Sequence, residues 1–191
     1  MKDDTRSRLV DSGLRLLREG GLDAVTLRAV GTLTGVSRTA PYRHFADKAE
    51  LLATMSARVL DDLTRHVRAS YSDQDSPEER LRTFYESYIR YALAHPQEYR
   101  LLFSSALKSA GKYPELAAAT DRAIQELVAD WPGAEPHADA GASRARLLAL
   151  VSTAHGLAEY TLSGHYRHKG IDPQDVIDAL LDVMRPVPAA R

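Results

Sequence analysis

Apolar residues recur three and four positions apart along nearly the whole chain, the spacing of an amphipathic helix. Leu9, Gly13, Leu16 and Leu17 share one face of a first helix, which Gly20-Gly21 ends. Leu27, Val30 and Leu33 form a short second stripe with Thr26 placed to cap it, and Gly35 breaks it. Ser37 is placed to cap a third short helix running to His44. Asp47 and Glu50 make a capping box ahead of Leu51, Leu52, Met55, Val59 and Leu63. Ser76, Pro77 and Glu79 open another helix, carrying Leu81, Phe84, Tyr88 and Tyr91. His95-Pro96 marks a break before a shorter helix from Tyr99 to Leu107, and Gly111 to Pro114 marks a second break. Leu116, Ile124, Leu127 and Val128 lead to Trp131-Pro132, and residues 132–141 read as a loop. An apolar helix over 143–163 follows, then a last one from Asp172-Pro173 that ends at Pro186 and Pro188. No strand-period segment stands out, so the expected fold class is all-α with about nine helices.

The 191 residues are 44% hydrophobic and 27% charged, which suits a packed, soluble chain. A net charge of −1 gives no overall signature for nucleic acid. The distribution changes that picture. Between Thr26 and Lys48 lie Arg28, Arg38, Arg43 and Lys48 against Asp47 alone, a basic patch able to meet phosphates. The absence of cysteine removes disulfides, thiolate metal sites and cysteine nucleophiles. The charged N-terminus lacks a signal-peptide core, and no run approaches the ~18 apolar residues of a membrane span. A cytoplasmic protein without membrane contact is expected.

A short helix, a glycine turn and a second short helix across residues 26–44 fit a helix-turn-helix. Its second helix would present Arg38, Thr39, Ala40 and Tyr42 to a major groove. Arg38 suits guanine or phosphate, and Thr39 and Ala40 suit a thymine methyl. Tyr42, Arg43, His44 and Lys48 are natural phosphate partners, which fix register rather than sequence preference.

The string GVSRTAPYRHFADKAELL, residues 35–52, resembles the DNA-binding signature of the TetR family. That signature joins Gly-Val-Ser, a short recognition helix, Tyr-x-His-Phe and Lys-x-x-Leu-Leu. The resemblance implies backbone contacts from Thr26, Arg28, Ser37, Tyr42, His44 and Lys48, with Arg38, Thr39 and Ala40 facing bases. Three places depart from the pattern. Val30-Gly31 and Thr34-Gly35 stand where Ile-Ala and Ala-Gly are usual, and Pro41 lies inside the recognition helix. The resemblance divides the chain into a DNA-binding domain, 1–48, and an effector-binding and dimerisation domain, 49–191. It implies repression from a partly palindromic double-stranded operator, relieved by a small-molecule effector.

In the second half, YALAHPQEYRLLF, YPEL and AHGLAEYTLSG resemble the TetR C-terminal type named for a Trp-His-Gly motif, although no Trp stands near His155-Gly156, where Ser152 and Thr153 lie instead. Phe84, Tyr88, Tyr91, Tyr99, Phe103, His155 and Tyr160 are candidates to line an effector pocket, each with ordinary core packing as the alternative. Leu147, Val151, Ala154, Ala158 and Leu162 form one stripe, and Val176, Leu180 and Val183 another. These suit a four-helix seam between two copies, or closure of each chain's own core. His155 and Glu159, or His165 and His168, are spaced to touch a metal, but no third ligand is in register. No dinucleotide fingerprint, P-loop or nucleophile elbow occurs, so no cofactor, metal or catalytic residue is expected. The alternative to an operator-binding regulator is a helical interaction module or ligand sensor that has left DNA.

Overall fold

The computed structural model describes residues 2–104, 112–130 and 140–184. Among them the regular elements are helices: α1 (Lys2–Ala24), α2 (Leu27–Thr34), a 3-10 turn (Pro41–Arg43), α3 (Lys48–Arg68), α4 (Pro77–Ala94), α5 (Pro96–Leu102), α6 (Pro114–Ala129), α7 (Ala140–Leu162), α8 (His165–Lys169) and α9 (Pro173–Met184). The all-α expectation and its helix count hold, with two changes of membership. The Ser37–His44 helix is reduced to the 3-10 turn, and α8 is added. The expected loop at 132–141, the stop at Trp131-Pro132, the end of the helix towards Leu107, the start of the break at Gly111 and the closing prolines lie outside the described residues, wholly or in large part.

Local chemistry sets the boundaries. Gly21 has φ 70°, so the helical path of α1 breaks there. The Thr26 hydroxyl accepts the Ala29 N–H at 3.1 Å and caps α2. At its other end Gly35 adopts φ 73°; its N–H reaches the Thr32 carbonyl and that of Val36 the Gly31 carbonyl, a Schellman arrangement. The Ser76 capping box forms, and at Asp47 the return bond is shifted by one residue. Asp47 accepts the Glu50 N–H at 2.8 Å while Glu50 reaches back to the Ala46 N–H at 2.6 Å. Ser76 and Glu79 exchange bonds of 3.3 and 2.8 Å.

Packing divides the chain into two units, residues 1–63 with 95–123, and residues 64–94 with 124–191. These units cut the chain differently from the division expected at residue 48. Helix α3 starts in one and ends in the other. In the first unit Leu9, Leu17, Val25, Val30, Phe45, Leu51 and Met55 are fully buried, along with Tyr99 and Leu101. Glu98 is buried too, between Arg18 at 2.8 Å and His95 at 3.0 Å. In the second unit α4 packs on α7 and α9. Phe84, Tyr85, Tyr88 and Ile89 meet a core that includes Leu147, Ala154, Ala158, Ile177 and Leu181. Arg82 pairs with Asp178, and Arg68 holds Glu126 at 2.9 Å and Asp130 at 2.5 Å.

Candidate nucleic-acid interface

Pro41 decides the form of the recognition segment. In an α-helix the residue-41 N–H would go to the Ser37 carbonyl, and proline has none to give. The Ala40 N–H takes that carbonyl instead at 3.0 Å, followed by Arg43 to Ala40 and His44 to Pro41, which is the tighter 3-10 pattern. The Phe45 N–H also bonds the Pro41 carbonyl at 3.0 Å, so the turn closes on a buried aromatic ring.

The departures from the family pattern are explained by their neighbours. A Cβ on Gly31 would lie 2.7 Å from Cγ of Pro41, so the missing methyl makes room for the proline ring. The Thr34 hydroxyl is buried, donates to the Val30 carbonyl at 2.7 Å and meets the Ser12 hydroxyl at 2.9 Å. Arg8 adds a bond of 3.0 Å to the Thr34 carbonyl, so α2 is fixed to α1 at its C-terminal end.

On this base stand the residues expected to meet DNA. Arg28, Ser37, Arg38, Thr39, Tyr42 and Arg43 are exposed, Tyr42 by 59%; Ala40 and His44 are half-buried. Among the described residues the guanidinium groups of Arg28, Arg38 and Arg43 have no acidic partner. The Thr26 hydroxyl is occupied as a cap, and Ser37 lies 3.4 Å from the Thr39 hydroxyl. Lys48 donates to the Leu22 carbonyl at 3.0 Å, beside the break in α1. An ammonium carries three donors, so two remain for a phosphate.

The residues expected to line an effector pocket fall in both units. Tyr99 and Phe103 belong to the first, with ring centres 5.0 Å apart; Tyr99 is buried and Phe103 exposed. Phe84, Tyr88 and Tyr91 are buried on α4, with Phe84 5.9 Å from Tyr88, and the His66 ring lies 5.6 Å from Tyr91. His155 is half-buried, and burial pushes its pKa down against the opposing pull of Glu159. Tyr160 is exposed and stacks on His165 at 4.8 Å. Two cavities, of about 320 and 390 Å³, have linings that include none of these seven residues. Sequence reasoning missed Tyr85. It is fully buried, and its hydroxyl has no well-formed hydrogen bond among the described residues. Burial pushes this phenol up; the Thr153 hydroxyl opposes the shift, but its own proton goes to the Ala149 carbonyl. A polar atom on a buried aromatic residue leaves no trace in apolar periodicity.

Of the residues expected at a dimer seam, Leu147, Ala154 and Ala158 are buried inside the second unit. Val151, Leu162, Val176 and Leu180 are half-buried, and Val183 is 84% exposed. The outward side of α7 carries Leu148, Ser152, Gly156 and Tyr160.

A capped helix, a left-handed glycine turn and a short exposed basic segment closed by a buried aromatic define a helix-turn-helix protein. Comparison with known proteins agrees. Residues 9–55 match the family described as "Bacterial regulatory proteins, tetR family". Residues 81–184 match "Tetracyclin repressor-like, C-terminal domain", a description that names no Trp-His-Gly type. The chain is 27% identical over 171 residues to the HTH-type transcriptional activator FasR of Mycolicibacterium smegmatis, spanning 85% of this chain and 74% of that protein. Its fold is similar to a TetR transcriptional regulator from Rhodococcus sp. RHA1, with TM-score 0.70, 20% identity and full coverage of both chains. It is also similar to multidrug binding protein EbrR, solved with imidazole, with TM-score 0.64, 17% identity and 97% of each chain covered. The chain belongs to the TetR family and is a DNA-binding transcriptional regulator. None of its described helices is long and apolar enough to cross a membrane.

Proposed function

We propose that this regulator acts in the cytoplasm as a homodimer on a partly palindromic operator, and that a small-molecule effector releases it. The observation that carries the operator reading is the exposed segment 37–43, held from below by buried Pro41 and Phe45, with Arg28, Arg38 and Arg43 unpaired among the described residues. Arg38, Thr39 and Ala40 face base edges; Thr26, Arg28, Ser37, Tyr42, Arg43, His44 and Lys48 hold phosphates. The second copy joins through α7 and α9, which keep Leu148, Tyr160, Val183 and Met184 exposed.

The effector site lies on the second unit's aromatic α4 face, with His155 contributing from α7. Tyr85 supports it, because its buried hydroxyl, acted on only by the Thr153 hydroxyl, offers a polar group for an effector to meet. EbrR, described as multidrug binding, shares the fold and supports a small-molecule role for it. Helix α3 carries His66 near one end and follows Phe45 at the other, so it is the element to transmit effector binding. The expected sign is repression by promoter occupancy; FasR, named an activator, makes activation the alternative outcome.

The test is selection of DNA from a random pool by the purified chain, titration at several salt concentrations, and transcription from a promoter carrying the selected site. Support is a two-fold motif with half-sites ~34–36 Å apart and an affinity that falls with salt. Weak, sequence-independent binding would point to the interaction-module reading. An effector that binds without changing operator affinity would contradict the release mechanism.

A further inference from the structure

A cleft of about 320 Å³ opens in the first unit between α1, α3 and α6. Three guanidinium groups line it, from Arg6, Arg58 and Arg122, with the carboxylates of Asp61 and Glu115 and the hydroxyl of Thr54. Two of the guanidiniums are already matched. Arg6 holds Glu115 at 2.6 and 3.1 Å, and Arg122 holds Asp61 at 2.9 and 3.0 Å. Arg58 is exposed and has no hydrogen-bond or ion-pair partner among the described residues. The cleft thus carries one surplus positive charge on an available planar donor, with polar groups around it. Its volume sits at the lower end of the ~300–1,000 Å³ range of small-molecule sites.

We propose that this cleft is a second regulatory site, which takes a small molecule bearing an anionic oxygen group, carboxylate or phosphate. The anion binds Arg58 and competes with Glu115 and Asp61 for the neighbouring guanidiniums. Planar guanidinium forks suit both kinds of headgroup. The consequence for DNA runs through Arg6. Its guanidinium lies 5.1 Å from the Phe45 ring centre, bonds Thr54 of α3 at 3.0 Å and Glu115 of α6 at 2.6 Å. Phe45 closes the recognition turn through its bond to Pro41. An anion that draws Arg6 from Glu115 loosens this anchoring of Phe45 and lowers operator affinity. By linkage, bound operator weakens the anion to the same degree.

Citrate and inorganic phosphate are the probes, titrated into the full-length protein by calorimetry without DNA. Operator affinity is then measured with each anion, with chloride adjusted to keep ionic strength constant. The wild type should bind at least one probe and lose operator affinity by about fivefold or more, the lower bound of ordinary allosteric coupling. Arg58→Glu and Arg58→Gln should keep wild-type operator affinity without the anion and lose both the calorimetric signal and the response. A stronger response to phosphate assigns a phosphate ester, and a stronger one to citrate a carboxylate. No calorimetric binding of either probe to the wild type overturns the proposal. So does an undiminished response in both variants, which would place the anions on the DNA-facing arginines. The calorimetric arm needs no DNA, so it fails or succeeds independently of the operator reading.

Discussion

At the scale of single residues, two of the features that depart from the family pattern, Gly31 and Pro41, are one feature. Gly31 alone costs about 1 kcal/mol of helix propensity relative to alanine. Alanine, however, would place a methyl 2.7 Å from a rigid proline ring, and overpacking of that kind costs about 1–3 kcal/mol. Gly31→Ala should therefore destabilise the protein by about 1 kcal/mol. In a Pro41→Ala background the clash is gone, and the same change should be neutral or stabilising by up to about 1 kcal/mol. Urea denaturation of the four proteins in a double-mutant cycle reads this inversion of sign. Independent, additive effects at the two positions would refute the coupling. The recognition segment permits a second prediction from exposure. Arg43→Ala should weaken binding uniformly across sequences and reduce the salt slope by about 1, as for a phosphate contact. Arg38→Ala should instead cost about 1–3 kcal/mol of discrimination at one base position. Anisotropy titrations on matched and mismatched operators separate the two, and equal loss of specificity from both would reassign Arg43 to a base.

At the scale of elements, what sequence reveals depends on how local the rule is. Thr26, Gly35, Asp47 with Glu50, and Ser76 with Glu79 each satisfy backbone groups within a turn of themselves, and all these boundaries were legible. The Ser37–His44 segment, expected as an α-helix, forms a 3-10 turn at Pro41–Arg43. The missing proline N–H shifts the Ser37 carbonyl to the Ala40 donor, and the consequence spreads over the whole short segment. Helix α8 escaped because its five residues carry no apolar stripe; left-handed Gly164 and Gly170 delimit it from both sides. The cap of α3 matters beyond its own turn, since the chain enters that helix directly from Phe45. Asp47→Ala should cost about 1 kcal/mol of stability, with Asp47→Asn costing only a fraction of it. Thermal unfolding measures this, and equal losses in both variants would remove capping as the cause.

At the scale of the molecule, periodicity marks which positions are apolar but not what covers them. The stripe of Leu147, Ala154 and Ala158 suits either a seam between copies or the chain's own core, and the second unit buries these three. The side of α7 that faces outward carries Leu148, Ser152, Gly156 and Tyr160, a mixed face that apolar counting passes over. Gly156 is the informative member. It sits inside a helix, where glycine costs about 1 kcal/mol, and no atom lies within 4 Å of where its Cβ would be. Among the described residues, nothing beyond its own helix requires glycine there. If α7 meets its counterpart from a second copy, close approach of the two backbones does require it. Gly156→Ala should raise the stability of each folded chain and weaken the dimer, whereas Gly156→Leu should leave each chain folded and split the pair. Sedimentation velocity across micromolar concentrations, with circular dichroism for the fold, distinguishes these outcomes. Operator affinity should fall together with dimerisation, because a single copy reads a single half-site. A Gly156→Leu protein that stays dimeric and binds operator as the wild type does would move the seam off this face of α7, leaving exposed Val183 and Met184 on α9 as the surface to probe instead.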